Sequence, residues 1–156
     1  MSAALDRKYG LSEETDLAAR LDKTAERLAR EYWTYHQEEI LDAIPGSFLD
    51  EYDDLNVEVA FCRATSVSIG YTLLSRCGLE ADCYFERSDF EHVFEFNTPD
   101  MVAALGCAVS ESSEEVLRTI ETAVKTCERR KLAERRIAYG TDIYAGRRLP
   151  DTGRGI

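Results

Sequence analysis

Histidine is almost missing from this chain. Its 156 residues hold two, His36 and His92. A zinc site needs three or four His, Cys, Asp or Glu ligands converging at short spacing. The sequence has no H-E-x-x-H, and His36 sits in YHQEEIL, where one helical turn offers Glu39 but no second histidine. Five cysteines, at 62, 77, 83, 107 and 127, contain no C-x-x-C pair. Cys77 and Cys83 are near each other in sequence, yet nothing completes a ligand set. An odd count without pairing spacing predicts reduced, mostly buried thiols in a cytoplasm, not a disulfide framework. Phosphate cradles of the G-x-x-x-x-G-K-[ST] and G-x-G-x-x-G kinds are also absent. No G-x-S-x-G occurs, and no Cys–His arrangement follows from the spacing. The expectation is a protein that is no enzyme and takes no cofactor and no metal.

Other shortages bound the architecture. No apolar run approaches the roughly 20 residues that span a bilayer. The start, MSAALDRKYG, lacks the apolar core of a secretory signal. Prolines fall only at 45, 99 and 150, so helices have room to run. Neither an internal repeat nor a low-complexity block appears. At 44% hydrophobic and 31% charged residues, the composition fits one soluble, cytoplasmic domain with a real core.

What the chain does have is negative charge, unevenly spread. Residues 1–100 carry 22 acidic and 9 basic side chains, a balance of −13, whereas 101–156 carry 8 and 10, a balance of +2. An acidic body repels phosphate, which weighs against duplex DNA as a direct partner and favours a basic protein surface. The densest run is Asp50-Glu51-Tyr52-Asp53-Asp54. It is no EF-hand loop, because the sixth position from Asp50 is Leu55 where that loop needs glycine. It reads as a solvated face or a contact surface for a basic partner. Glu38, Glu39 and Asp42 lie nearby in sequence, and Tyr52, Phe85 and Phe94 are candidate aromatic anchors. Near the other end, Arg129, Arg130, Lys131, Arg135 and Arg136, then Arg147 and Arg148, are candidate phosphate contacts. The alternative for them is complementarity to a helix dipole plus a basic tail.

Helical periodicity dominates. A first helix is predicted to start near Ser12, with Glu13, Glu14 and Asp16 in its first turn. It carries Leu17, Leu21, Leu28, Trp33, Ile40 and Ile44, and ends at Pro45-Gly46. Ser47 with Asp50 resembles a capping box. Phe48, Tyr52, Leu55, Val59, Cys62, Val67, Tyr71, Leu74 and Cys77 then suit one long helix, or two with a break near Asn56. Asn56 to Phe61 also alternates like a strand, but its flanks are helical and no partner strand is evident. Arg76 and Gly78 make a C-terminal stop. Residues 79–97, with Tyr84, Phe85, Phe90, Phe94 and Phe96, read as short turns covering the core. Asn97-Thr98-Pro99-Asp100 starts a short helix ending at Gly106. Ser110 or Ser112 caps a last helix with the stripe Val116, Leu117, Ile120, Val124 and Cys127, running to about Tyr139. The sum is an all-α domain of four to six helices over residues 1–140, an aromatic loop-rich middle, and a flexible tail at 141–156.

Two longer matches add context. EYWTYHQEEILDAIPGSFLDEYDDLNVEVAFCRATSVSIGYTLLSRCGLEADCYFE, followed by FEFNTPDMVAALGCAVSESSEEVLRTIETAVK, resembles a module near the N-terminus of very large helicase and DNA-methyltransferase proteins of conjugative and integrative elements in gut Firmicutes. The resemblance spans roughly residues 5–150, and in those proteins the stretch similar to GTDIYAGRRLPD leads into a linker. A weaker likeness, carried by VSIGYTLLSRCGL, Val67 to Leu79, is to ArdC antirestriction proteins and ImmA/IrrE-type metallopeptidase-like domains. Tyr71 and Gly78 match. Val67 stands where the family has a metal-binding glutamate, and the paired histidines are missing, so no catalytic residue carries over. The resemblances imply a mobile-element protein that binds another protein, most simply a counter-defence inhibitor of the antirestriction or anti-CRISPR type. Its partner would be a host nuclease with a basic nucleic-acid channel. The other implication is a docking module of the large helicase-methyltransferase protein.

Overall fold

Capping side chains set the helix boundaries. The computed structural model describes residues 2–10 and 16–145. Four α-helices follow in order: α1 (Ser2–Tyr9), α2 (Leu17–Ala43), α3 (Asp54–Arg76) and α4 (Pro99–Ala145). Short 3-10 helices occupy Phe48–Glu51, Ala81–Cys83 and Arg87–Glu95. The described residues contain no strand, so the all-α expectation holds. The predicted start at Ser12 lies outside the described residues. Asp16 caps α2 from outside the helix, its carboxylate accepting from Ala19 N at 3.3 Å. Asp53 does the same for α3, accepting from Asn56 N at 2.8 Å. Thr98 Oγ1 accepts from Met101 N at 3.3 Å at the head of α4, with Pro99 in its first turn. Gly78 follows α3 at φ +76, a left-handed position that glycine adopts without a Cβ penalty.

Two clusters of buried side chains form the core. One joins Leu5 and Tyr9 of α1, Leu21 and Leu28 of α2, Ile69 and Leu73 of α3, and Val116 and Ile120 of α4. The other joins Trp33 and Ile40 of α2, Leu49, Val57 and Phe61, then Phe96, Met101 and Leu105. Thus α2 runs from the first cluster to the second, while α3 and α4 both run from the second to the first. A chain that makes α3 and α4 run the same way must return along the length of the domain between them. Residues 79–97 are that return, a strap built largely of 3-10 turns. Parallel neighbours in helical domains need such a long crossover.

Three expectations are corrected. Helix α4 does not stop at Gly106 and restart at Ser110 or Ser112; it runs unbroken from Pro99 to Ala145. A helix-interior glycine costs about 1 kcal/mol, and buried Leu105 and Ala108 on either side outweigh that, with Ser112 and Ser113 buried inside the same helix. The helix also passes the predicted end at Tyr139 and the predicted tail boundary at 140; residues 146–156 lie outside the described residues. By compactness the chain divides into units 1–120 and 121–156. Second, the buried face of α3 has a different phase at its start from the one the spacing predicts. Val57, Ala60, Phe61 and Ala64 are buried, whereas Leu55 is 69% and Val59 41% exposed. Phe48 and Tyr52 belong to a separate 3-10 turn, with the break at Asp53, three residues before the predicted position. Third, all five thiols are free, but none is fully buried: Cys62, Cys77 and Cys127 are half-buried, and Cys83 and Cys107 are exposed.

Candidate protein-binding surface

The acidic run folds around its own turn. Ser47 caps the 3-10 helix, its hydroxyl accepting from Leu49 N at 3.2 Å. The Asp50 carboxylate accepts from Gly46 N at 3.0 Å, so the pair is not a reciprocal capping box. Asp53 caps α3. Two of the four carboxylates therefore have structural duties, and all of Asp50, Glu51, Asp53 and Asp54 remain exposed. Glu38, Glu39 and Asp42 are exposed on the last turns of α2. Glu39 Oε2 lies 3.2 Å from His36 Nδ1, and the His36 ring stacks on Tyr32 at 4.2 Å between centroids.

Hydrogen bonds join this turn to the end of the strap. Phe48 N donates to Asn97 Oδ1 at 2.8 Å, and Tyr52 OH donates to Glu95 Oε1 at 3.3 Å. The Glu95 carboxylate, first by its charge, raises the Tyr52 phenol above its ordinary pKa. The contact sets Tyr52 beside the segment that holds Phe94, which is 68% exposed. Phe48 is 66% exposed on the same turn, and Leu55 follows one residue into α3. Phe48, Tyr52, Leu55 and Phe94 are all exposed on these joined segments, a candidate ridge with the exposed carboxylates of Asp50, Glu51, Asp53 and Asp54 on the same turn. Phe48 and Leu55 fit a helical core stripe by spacing, yet both side chains are exposed. The spacing Val57, Ala60, Phe61, Ala64 carries the true phase once Asp53 is taken as the cap.

Phe85 does not join that ridge. Its ring packs with the first core cluster and sits over Gly70, beside Tyr71 and Phe90. Of the predicted aromatic cover, Phe96 is buried, Phe85 and Phe90 are half-buried, and Tyr84 is exposed. The basic candidates Arg129, Arg130, Lys131, Arg135 and Arg136 are all exposed on the distal part of α4, in the second unit. Arg130 Nε pairs with Glu134 Oε1 at 3.5 Å.

A cleft of about 420 Å³ lies where the strap crosses α2 and α3, lined by Asp22, Glu26, Arg63, Val67, Asp89 and His92 among others. Burial, then the charges of Glu26 and Asp89, raise the pKa of Asp22. Val67 is buried. Among the described residues no group of three His, Cys, Asp or Glu side chains is arranged to hold a metal ion. At the cleft's edge, His92 Nε2 is 3.2 Å from Arg63 Nη1, and His92 Nδ1 is 3.4 Å from Glu95 Oε2.

No family model, no curated protein and no solved structure matches this chain. No described helix is long and apolar enough to cross a membrane.

Proposed function

We propose that this protein acts without catalysis, by binding another protein through the ridge of Phe48, Tyr52, Leu55 and Phe94 and its acidic border. The observation that supports this reading is the combination of four exposed apolar side chains with carboxylates from three segments. Exposed apolar patches rimmed by polar groups mark interaction sites. Aromatic anchors supply affinity at such sites, and surrounding charges steer the encounter and select the partner. A partner with a basic, partly apolar recess fits that chemistry. Together with the mobile-element resemblance, this points to a counter-defence inhibitor that occupies the nucleic-acid channel of a host restriction or CRISPR nuclease.

The direct test is transfer of an unmodified, targeted plasmid into bacteria that carry restriction or CRISPR systems, with and without this protein expressed. Transfer rises in at least one such host if the reading holds. Transfer that is unchanged in all of them contradicts it.

The second reading is a docking module of a larger helicase-methyltransferase protein. Its support is the distal part of α4. Every residue from Glu128 to Ala138 is exposed, Leu132 and Ile137 included. Most helical stability in proteins comes from packing of one face, and this stretch of α4 buries no side chain, so its exposed surface suits a partner. Binding of a recombinant helicase region to the wild type but not to a Leu132→Ser, Ile137→Ser variant would favour this reading.

A further inference from the structure

Two exposed surfaces of this chain share a plan and differ in the sign of their charge. On the first, Phe48 and Leu55 are exposed beside Asp50, Glu51, Asp53 and Asp54, a run with four carboxylates and no basic residue. The second is the stretch of α4 from Glu128 to Ala138. It carries five basic and two acidic side chains, a balance of +3, and all of them are exposed. Residues three and four apart share a helix face. Arg129 and Arg136 therefore flank Leu132, which is 54% exposed, and Arg135 lies three residues beyond it. This face has an apolar centre between guanidinium groups. The first has apolar side chains among carboxylates.

Charge narrows what the helix face can meet. Phosphate is one class of partner for guanidinium groups. The chain as a whole carries −11, and an acidic body repels a polyanion. A carboxylate surface with exposed apolar side chains answers both parts of the Arg–Leu–Arg face, and every copy of this chain carries one. Arginine also pairs with carboxylates through two parallel bonds, which suits it to interfaces. The net charge opposes association of two copies. At 0.15 M salt the screening length is about 8 Å, so charges far from the contact count little against the groups that meet there.

We propose that this protein binds a second copy of itself, with the Arg129–Leu132–Arg136 face of one molecule seated on the acidic, apolar turn of the next. The inference rests on the same reading of the ridge as a docking face that underlies the proposed function. The contact is heterologous, since its two sides are different surfaces. A molecule held in this way has its ridge covered, and its apolar side chains are shielded from unspecific contacts. Another protein that takes the ridge must then displace the second copy, so self-association and partner binding compete.

Sedimentation equilibrium of the full chain tests this with charge-swapped variants. The mass of the wild type is expected to rise above that of the monomer with concentration, and to fall back when salt is added. Glu51→Lys with Asp54→Lys reverses the ridge border, and Arg129→Glu with Arg136→Glu reverses the helix face. Asp50 and Asp53, which accept from backbone nitrogens, stay in place. Each variant alone sets like charges across the contact and is expected to self-associate more than about tenfold more weakly. Mixed one to one, the two recover association, because reversed helix meets reversed ridge and unaltered helix meets unaltered ridge. Recovery also shows that both are folded. Leu132→Ser, at an exposed position, decides if a charge variant fails to fold; it is expected to weaken self-association with helix content by circular dichroism unchanged. A wild type that is monomeric at every concentration, a folded variant that associates as the wild type does, or a mixture no tighter than its components overturns the proposal. A monomeric wild type that retains duplex DNA through Arg129 and Arg136 overturns it in favour of phosphate. Self-association without any gain in plasmid transfer contradicts the counter-defence reading alone, and a gain in transfer by a monomeric chain contradicts this inference alone.

Discussion

Gly70→Ala tests how the strap seats on the helices. Gly70 lies inside α3 and is buried. In a helix interior, alanine is favoured over glycine by about 1 kcal/mol, so propensity alone predicts stabilisation. A Cβ built at Gly70 meets Phe85 Cζ at 2.8 Å and Asp22 Oδ1 at 3.5 Å. Carbon atoms pack at about 3.5–4.0 Å, so the Phe85 ring must retreat by about 0.7 Å or more. It is hemmed by Tyr71 and Phe90, each with its ring centroid 6.2 Å away. Overpacking of this kind costs about 1–3 kcal/mol. The net effect is a loss of about 1 kcal/mol. With Phe85→Ala already in place the obstacle is gone, and Gly70→Ala stabilises by the full propensity term, about 1 kcal/mol. The coupling in the double-mutant cycle is therefore about 2 kcal/mol. Urea denaturation of the four proteins measures it. Equal stabilisation by Gly70→Ala in both backgrounds would refute the contact between Phe85 and α3.

The acidic turn separates charge from structure. Asp53→Ala removes the α3 cap and lowers stability by about 1 kcal/mol, whereas Asp53→Asn keeps the cap and changes stability far less, as thermal melts will register. Asp22 gives a pH-dependent effect. Burial, then Glu26 and Asp89, raise its folded pKa above the unfolded value. The folded state thus holds the proton more tightly, and stability falls as pH rises from the unfolded pKa through the folded one. Asp22→Asn accordingly stabilises at pH 7, and the gain disappears at pH 3, where the carboxyl is protonated in both states; denaturation at the two pH values checks this. Burial, with the nearby Glu58 charge adding and Arg30 opposing, pushes the Cys62 thiol up to about 11. Since the thiolate is the reactive form, alkylation at pH 8 modifies exposed Cys83 and Cys107 first and Cys62 on the order of a hundredfold more slowly, which peptide mass spectrometry follows over time.

Much of the fold was legible because helix caps and core stripes are local signals. The stretch Leu17 to Ile44, the stop at Gly78 and the start at Thr98-Pro99 all follow from residues within a turn of each other. The misreadings occur where local signals compete with packing. Gly106 and the serines after it look like a helix boundary, yet burial on both sides carries α4 through them. Leu55 and Val59 look like core in isolation. The Asp53 cap sets a phase that puts Val57 and Phe61 inside instead, and nothing in their composition marks the difference. The acidic character of the surface was plain in the sequence. Its apolar ridge was not, because it depends on bonds from Tyr52 and Phe48 to Glu95 and Asn97, more than 40 positions away. The strap's polar contacts were hidden for the same reason. His92 has no sequence neighbour that identifies Arg63 as its partner.

The central claim is that an acidic, apolar-anchored face binds a protein. Its most direct test is affinity capture from a host carrying restriction and CRISPR systems, run side by side with two variants and eluted with rising salt. One variant neutralises the border with Asp50→Asn, Glu51→Gln, Asp53→Asn and Asp54→Asn. The other replaces the ridge with Phe48→Ser and Leu55→Ser. The account predicts a nuclease retained by the wild type, released at lower salt from the neutralised face, and lost from the ridge variant. A nuclease retained equally by all three, or none retained by the wild type, would contradict it.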